Sequence, residues 1–142
     1  MASILKVDAL QGVTAAGSIL VTGEGNSTTT NLQQGLAKAW ASFNQTSTGH
    51  PVYDSFNVSG TSDTGAGATK VSFSNAMSNA NYSTSGGGQT DGFDSTTFGL
   101  VGKRTTNSEQ MTTTDFTTNN RNQAGSDYDT EYVGFVAHGD LA

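Results

Sequence analysis

The sequence predicts a mainly β protein: a β-sandwich-like domain with one short helix near the N-terminus, burying further surface by association. Three observations carry that expectation. Thr (22), Gly (18), Ser (16) and Asn (11) supply 67 of the 142 residues; Thr suits a pleated surface, while Gly, Asn and Ser suit the turns between strands. Leu, Ile, Val and Phe total only 25, yet just 13% of residues are charged and the formal net charge is -6. A low apolar fraction signals disorder when it is paired with high net charge, and that pairing is missing. Finally, a chain of this size with no Cys has a marginal core. Association with other copies is the readiest remaining source of buried surface.

The aliphatic residues crowd the start. Ile4, Leu5, Val7, Leu10, Val13, Ile19, Leu20 and Val21 are 8 of the 18 Ile, Leu and Val residues. That shift marks an N-terminal anchoring and assembly segment, residues 1–27, ahead of a β-sandwich domain, residues 28–142. The segment reads as two short strands, around residues 3–7 and 18–22, joined by a loop holding Gly12 and Gly17. Two strands are not stable alone, so their apolar faces must meet the rest of the chain or another chain. Residues 23–26 read as a turn. Leu32, Leu36 and Trp40 then recur four apart among the helix formers Gln33, Gln34 and Lys38, with residues 28–30 available as a cap. The spacing predicts a helix over residues 30–38, weakened by Gly35.

From there the pattern is β throughout. Residues 38–44 alternate, with Trp40 and Ser42 on one side and Ala39, Ala41 and Phe43 on the other. After a loop over 45–51, residues 53–58 and 69–73 alternate about a turn at 62–67. Residues 75–81 read as a connection to a short strand at Tyr82, and residues 86–88 as a flexible tip. Residues 93–98 and 99–101 are weak strand candidates. The Thr-, Ser- and Asn-rich stretch 105–130 reads as loop or solvated edge, and residues 132–137 as a buried closing strand.

Several function classes fall on composition. Six Lys and Arg against twelve Asp and Glu, with a pI near 4.5, leave no electrostatic footprint for nucleic acid. No apolar run approaches the ~20 residues of a membrane-spanning helix, and residues 1–10 do not read as a secretory signal. Absent Cys removes thiolate metal sites and Cys nucleophiles. No P-loop and no G-x-S-x-G elbow occurs. His50 and His138 are the only histidines and read as structural, so no catalytic residue and no cofactor is expected. Asp127, Asp129 and Glu131 would share one face of a strand and could hold a hard cation; a solvated face is the simpler reading. Four N-x-S/T sequons, at Asn26, Asn44, Asn57 and Asn81, are about what the Ser and Thr content gives by chance. Trp40, Tyr53, Tyr82, Tyr128 and Tyr132 read as core or interface before they read as a sugar platform.

Residues 5–12 (LKVDALQG) and 30–44 (TNLQQGLAKAWASFN) resemble the N-terminal parts of structural proteins of marine bacteriophages. Residues 54–67 (DSFNVSGTSDTGAG), followed by Val71–Phe73, Ala76–Met77 and Ala80–Tyr82, look like a β cassette recurrent in phage fibre and virion-appendage proteins. Residues 136–142 (VAHGDLA) are similar to endings in that group. The resemblance covers roughly residues 1–82 and the last ten; residues 83–130 are unmatched. It implies a homotrimer, a β-rich knob, no catalysis and a place on the virion, and it brings no functional residues.

The chain has no heptads and no β-helix repeat, and hence no shaft. A short knob or fibre docked on the particle follows, as a capsid decoration or head fibre. A tail fibre or receptor-binding protein of the tail is the alternative location. Residues 1–25 would anchor the knob to other capsid or tail proteins. Ile4, Leu5, Val7, Ile19, Val21, Leu32, Leu36 and Trp40 are the interface candidates, the last three as a trimer seam. The polar outer surface would adsorb weakly to host cell-surface glycans, made useful by many copies. Two rivals come from other classes. A carbohydrate-binding β-sandwich module needs an exposed aromatic platform; a small hydrolase needs a Ser or Asp beside His50 or His138.

Overall fold

Short alternating segments rich in Thr, Gly and small residues fold as antiparallel strands, and the computed structural model is mainly β with one short helix. It describes residues 6–13, 19–22, 27–89, 98–101, 111–122 and 124–142. The chain divides into two compact units, Met1–Leu36 and Ala37–Ala142, so residues 28–36 belong with the N-terminal unit.

In the first unit β1 (Leu20–Thr22) pairs antiparallel with β2 (Thr29–Asn31), Leu20 opposite Asn31 and Thr22 opposite Thr29. Residues 3–5 of the expected strand over 3–7 lie outside the described residues, and Lys6 and Val7 are not in a strand. Helix α1 (Leu32–Gly35) is a single turn rather than the nine residues expected. Its cap is Asn31, whose Oδ1 accepts from the Gln33 N–H (2.8 Å) and the Gln34 N–H (3.3 Å). It stops at Gly35 because Leu36 is extended, at φ -90 and ψ 139. Gly costs about 1 kcal/mol against Ala in a helix, and one turn is too short to absorb that. Leu32, Leu36 and Trp40 therefore share no helical face.

The second unit has two four-stranded sheets. One holds β3 (Ala39–Phe43), β4 (Val52–Phe56), β7 (Ser83–Gln89) and β10 (Tyr132–His138) in the order β4-β3-β10-β7. The other holds β5 (Val58–Gly65), β6 (Ala68–Phe73), β8 (Phe98–Val101) and β9 (Asp115–Arg121) in the order β5-β6-β9-β8. The expected strand over 53–58 is broken at Asn57, which takes φ 56 and turns the chain from one sheet into the other. Its side chain clasps the corner: Oδ1 accepts from Asn75 N–H (2.7 Å), and Nδ2 donates to the Lys38 carbonyl (3.0 Å) and the Asn75 carbonyl (3.1 Å). Asn tolerates this left-handed conformation better than most residues.

Two further expectations are corrected. Residues 86–88 are no tip; they lie inside β7, paired with Phe135, Gly134 and Val133 of β10. Within 105–130, β9 is an interior strand flanked by β6 and β8, with Phe116 to Asn120 all buried. The Thr-rich composition misled because Thr118 Oγ1 and Asn120 Nδ2 are buried with hydrogen-bond partners, which offsets part of the desolvation penalty.

Between the sheets the core has two halves. The apolar half gathers Phe43, Val71, Phe73, Met77, Tyr82, Phe116, Val133 and Phe135, with Ala39, Ala41 and Ala137 filling the gaps. Its rings meet edge to face, Phe116 on Phe135 at 4.8 Å and Phe73 on Tyr82 at 5.6 Å, the arrangement that ring quadrupoles favour. The polar half consists of Gln45, His50, Thr69, Thr118, Asn120 and Thr130, all buried.

Candidate functional site

Strand alternation decides what each face of the first sheet shows. Ala39, Ala41 and Phe43 of β3 point into the core, so Trp40 and Ser42 point out. Register carries this to the neighbours: Phe56 lies opposite Trp40, Asp54 opposite Ser42, and Val136 and Gly134 on the other side of β3. On β7, Ser85 and Gly87 continue the same rows. A bulge at Ser42/Phe43 adds Tyr53 to the edge of this face.

The result is an exposed aromatic surface. Trp40 is 37% exposed, Phe56 50%, Tyr53 52% and Tyr132 48%. The rings of Tyr53 and Tyr132 stack across β3, their centroids 5.6 Å apart at 29°. The Tyr53 hydroxyl is held from two sides, accepting from Asn44 Nδ2 (3.0 Å) and donating to the Glu131 carbonyl (3.5 Å). Among these rings lies Asp54, whose Oδ1 accepts from the Ser55 N–H at 2.8 Å. Four hydrophobic rings and one carboxylate on one sheet face, with Ser42 and Gly134 between them and Gly87 beyond on β7, can stack on flat apolar surface and accept hydrogen bonds.

The buried polar cluster has the composition of a catalytic group and the wrong surroundings. Thr69 Oγ1 lies 2.8 Å from His50 Nδ1, and Asp63 Oδ2 lies 3.7 Å from His50 Nε2. His50 is 1% exposed and Thr69 fully buried, so no substrate reaches the hydroxyl. Gln45 ties the cluster together: Nε2 donates to Thr69 Oγ1 (2.9 Å), while Oε1 accepts from Asn120 Nδ2 (2.7 Å) and Thr130 N–H (3.2 Å). These bonds tie the segment after β3 to β6, to β9 and to the segment ahead of β10. His138 lies on the outward side of β10, apart from this cluster in register.

The acidic stretch is dispersed. Asp127, Asp129 and Glu131 precede β10 and share no strand face. Asp127 Oδ1 accepts from Arg121 Nε at 3.0 Å, and Asp129 Oδ1 accepts from the Gly67 N–H at 2.6 Å. Among the described residues no three His, Asp or Glu side chains group to hold a metal ion. Burial pushes the Tyr82 phenol above its ordinary range, and the Asp115 carboxylate adds to the shift.

Of the interface candidates, Val7, Val21 and Leu36 are exposed, Ile19 and Leu32 are partly buried, and Ile4 and Leu5 lie outside the described residues. Trp40 sits on the aromatic face. Sequence reasoning missed Phe56, because the bulge upsets the alternation that would have put it beside Trp40. Comparison with protein-family models, with characterised proteins and with solved structures finds no match to this chain.

Proposed function

We propose that the chain is a non-enzymatic structural protein of a bacteriophage particle: a short trimeric knob or fibre on the capsid, with the tail as the alternative seat. The observation that carries this reading is in the first unit. Among its described residues none is buried, although it presents Val7, Leu10, Val13, Leu20, Val21 and Leu36 to solvent. A two-stranded sheet and one helical turn do not sustain themselves, and an apolar surface of this kind marks an interaction site. Other copies and neighbouring particle proteins supply the missing cover. The resemblance of residues 5–12, 30–44 and 54–67 to phage structural proteins supports the setting.

Light scattering tests it. A folded mass of ~44 kDa, three times 14.6 kDa, is expected, falling when Leu20→Asp and Val21→Asp are combined. Mass spectrometry of purified phage particles should find the chain. A 14.6 kDa monomer, unaffected by the double substitution, would sink the trimer.

A further inference from the structure

We propose that the outward face of the β4-β3-β10-β7 sheet is a binding platform for neutral pyranose oligosaccharides. It rests on the appendage reading for its biological role, to which it adds a ligand class and a site. The rings of Phe56 and Tyr53 on β4, Trp40 on β3 and Tyr132 on β10 stand on three adjacent strands, a width of about 10 Å. A pyranose offers a face of C–H groups, electropositive at their hydrogens, to the negative face of an aromatic ring. Ligand sites pair such apolar surface with a few placed polar groups. Here the placed group is Asp54, with acceptor capacity beyond its bond to Ser55 N–H.

Three features favour this occupant. The Tyr53 ring is fixed by Asn44 and the Glu131 carbonyl although half of it is in solvent; an exposed ring held in place lowers the entropy lost on binding. The floor between and beside the rings is flat where packing does not require it. A Cβ added at Gly87 or Gly134 would meet nothing within 4 Å, so a side chain there would fit the fold and obstruct the face. Charge selects the partner: the outward strand positions hold Asp54, no Lys or Arg, and His138 at the far end of β10. Asp54, among the rings, disfavours an anionic ligand there. A second copy stacked face to face about a two-fold axis would bring two Asp54 carboxylates together with no Lys or Arg between them. A neutral polyol satisfies the rings and the carboxylate together.

Trp40 is the only Trp, so its fluorescence reports on this face alone. The full-length protein is titrated with maltohexaose, cellohexaose and mannohexaose, with mass followed by light scattering. A saturable change with at least one of them is expected, at Kd in the range of about 0.1–5 mM. Combining Tyr53→Ala and Tyr132→Ala should weaken it at least about ten-fold, with far-UV circular dichroism and mass unchanged. Asp54→Asn, which alters no ring, should weaken it by about three-fold or more. No change with any of the three up to about 10 mM, in a protein of trimer mass, overturns the platform and leaves the appendage standing. Sugar binding by a monomer keeps the platform and removes the trimeric appendage. If Trp40 is shielded from acrylamide and the Tyr pair substitution lowers the mass, the face is an interface between copies and the platform is overturned.

Discussion

Replacing Gln45 with Leu tests whether the polar half of the core holds the sandwich together. Gln45 is 2% exposed and follows β3, yet it bonds to Thr69 of β6, Asn120 of β9 and Thr130 ahead of β10. Leucine is of similar size and leaves little cavity. Four contacts disappear: Nε2 to Thr69 Oγ1 (2.9 Å), and those to Oε1 from Asn120 Nδ2 (2.7 Å), Thr130 N–H (3.2 Å) and Thr130 Oγ1 (3.3 Å). Two partners keep a second contact, since Asn120 Nδ2 still reaches Thr130 Oγ1 and Thr69 Oγ1 still faces His50 Nδ1. The buried Thr130 N–H is left without an acceptor. An orphaned buried donor costs about 1–3 kcal/mol and each other lost bond about 1 kcal/mol. Leucine's greater transfer free energy returns about 1–2 kcal/mol.

The net loss is about 3 kcal/mol. For a unit of this size about 4 °C of melting temperature goes with each kcal/mol, so the midpoint should fall by roughly 12 °C. Thermal denaturation followed by circular dichroism reads this directly, with Gln33→Leu in the exposed helical turn as control. A drop no larger than the control's would refute the reasoning, because the network would then contribute nothing beyond filling space.

Gly67→Ala should lower stability by roughly 3 kcal/mol or more. Gly67 has φ +69, and an added Cβ would overlap the Asn120 carbonyl oxygen and lie 2.8 Å from Tyr128 N, backbone atoms that cannot swing aside. Gly87→Ala, with open space around it, should cost under about 1 kcal/mol, and equal urea midpoints for the two variants would contradict the geometry. Alkaline pH gives another prediction: Tyr82 is raised above its ordinary 10.0 in the folded protein, so the unfolded chain releases that proton first. Stability from this group is present below pH ~10 and is lost as pH rises above it. Tyr82→Phe removes the bond to the Asp115 carbonyl (3.0 Å), costing about 1 kcal/mol at neutral pH, and should flatten the decline above pH 10. Parallel declines in the two proteins would show that Tyr82 does not drive it.

What could be read in the sequence was whatever alternation alone controls. β3 and β10 are visible because Ala39, Ala41 and Phe43, and Val133, Phe135 and Ala137, fall at every second position with outward residues between them. β9 was hidden because its inward positions are Phe116, Thr118 and Asn120. Two of those three are polar, and they are buried only because Thr69, Gln45 and Thr130 come from distant parts of the chain to bond them. The corner at Asn57 was equally hidden, since its clasp needs Lys38 and Asn75. Gly88 looked like part of a flexible tip. In the fold a Cβ there would lie 2.6 Å from Thr130 Oγ1, so the glycine admits β7 over the polar cluster. For the aromatic face, Trp40 was legible from its neighbours, whereas Phe56 and the stacking of Tyr53 on Tyr132 depend on a bulge that composition does not announce.

The distribution of apolar residues ties the two proposals together. Eight of the 18 Ile, Leu and Val residues fall in the first 21 positions, and none of those among the described residues is buried. The sandwich closes without them, using Phe rings, small side chains and hydrogen-bonded Thr, Asn and Gln. A core of that kind is specific, because a one-residue slip of β9 would turn Thr118 and Asn120 away from their partners and bring in Thr117 and Asn119 instead. It is also modest in hydrophobic area. Aliphatic side chains that the fold leaves in water cost solubility unless another surface covers them. The proposed trimer covers them at the N-terminal unit, while the Trp40 face belongs to the sandwich, a separate compact unit. Repetition of that face on a particle then converts weak sugar contacts into attachment, since linked sites raise avidity without any new contact.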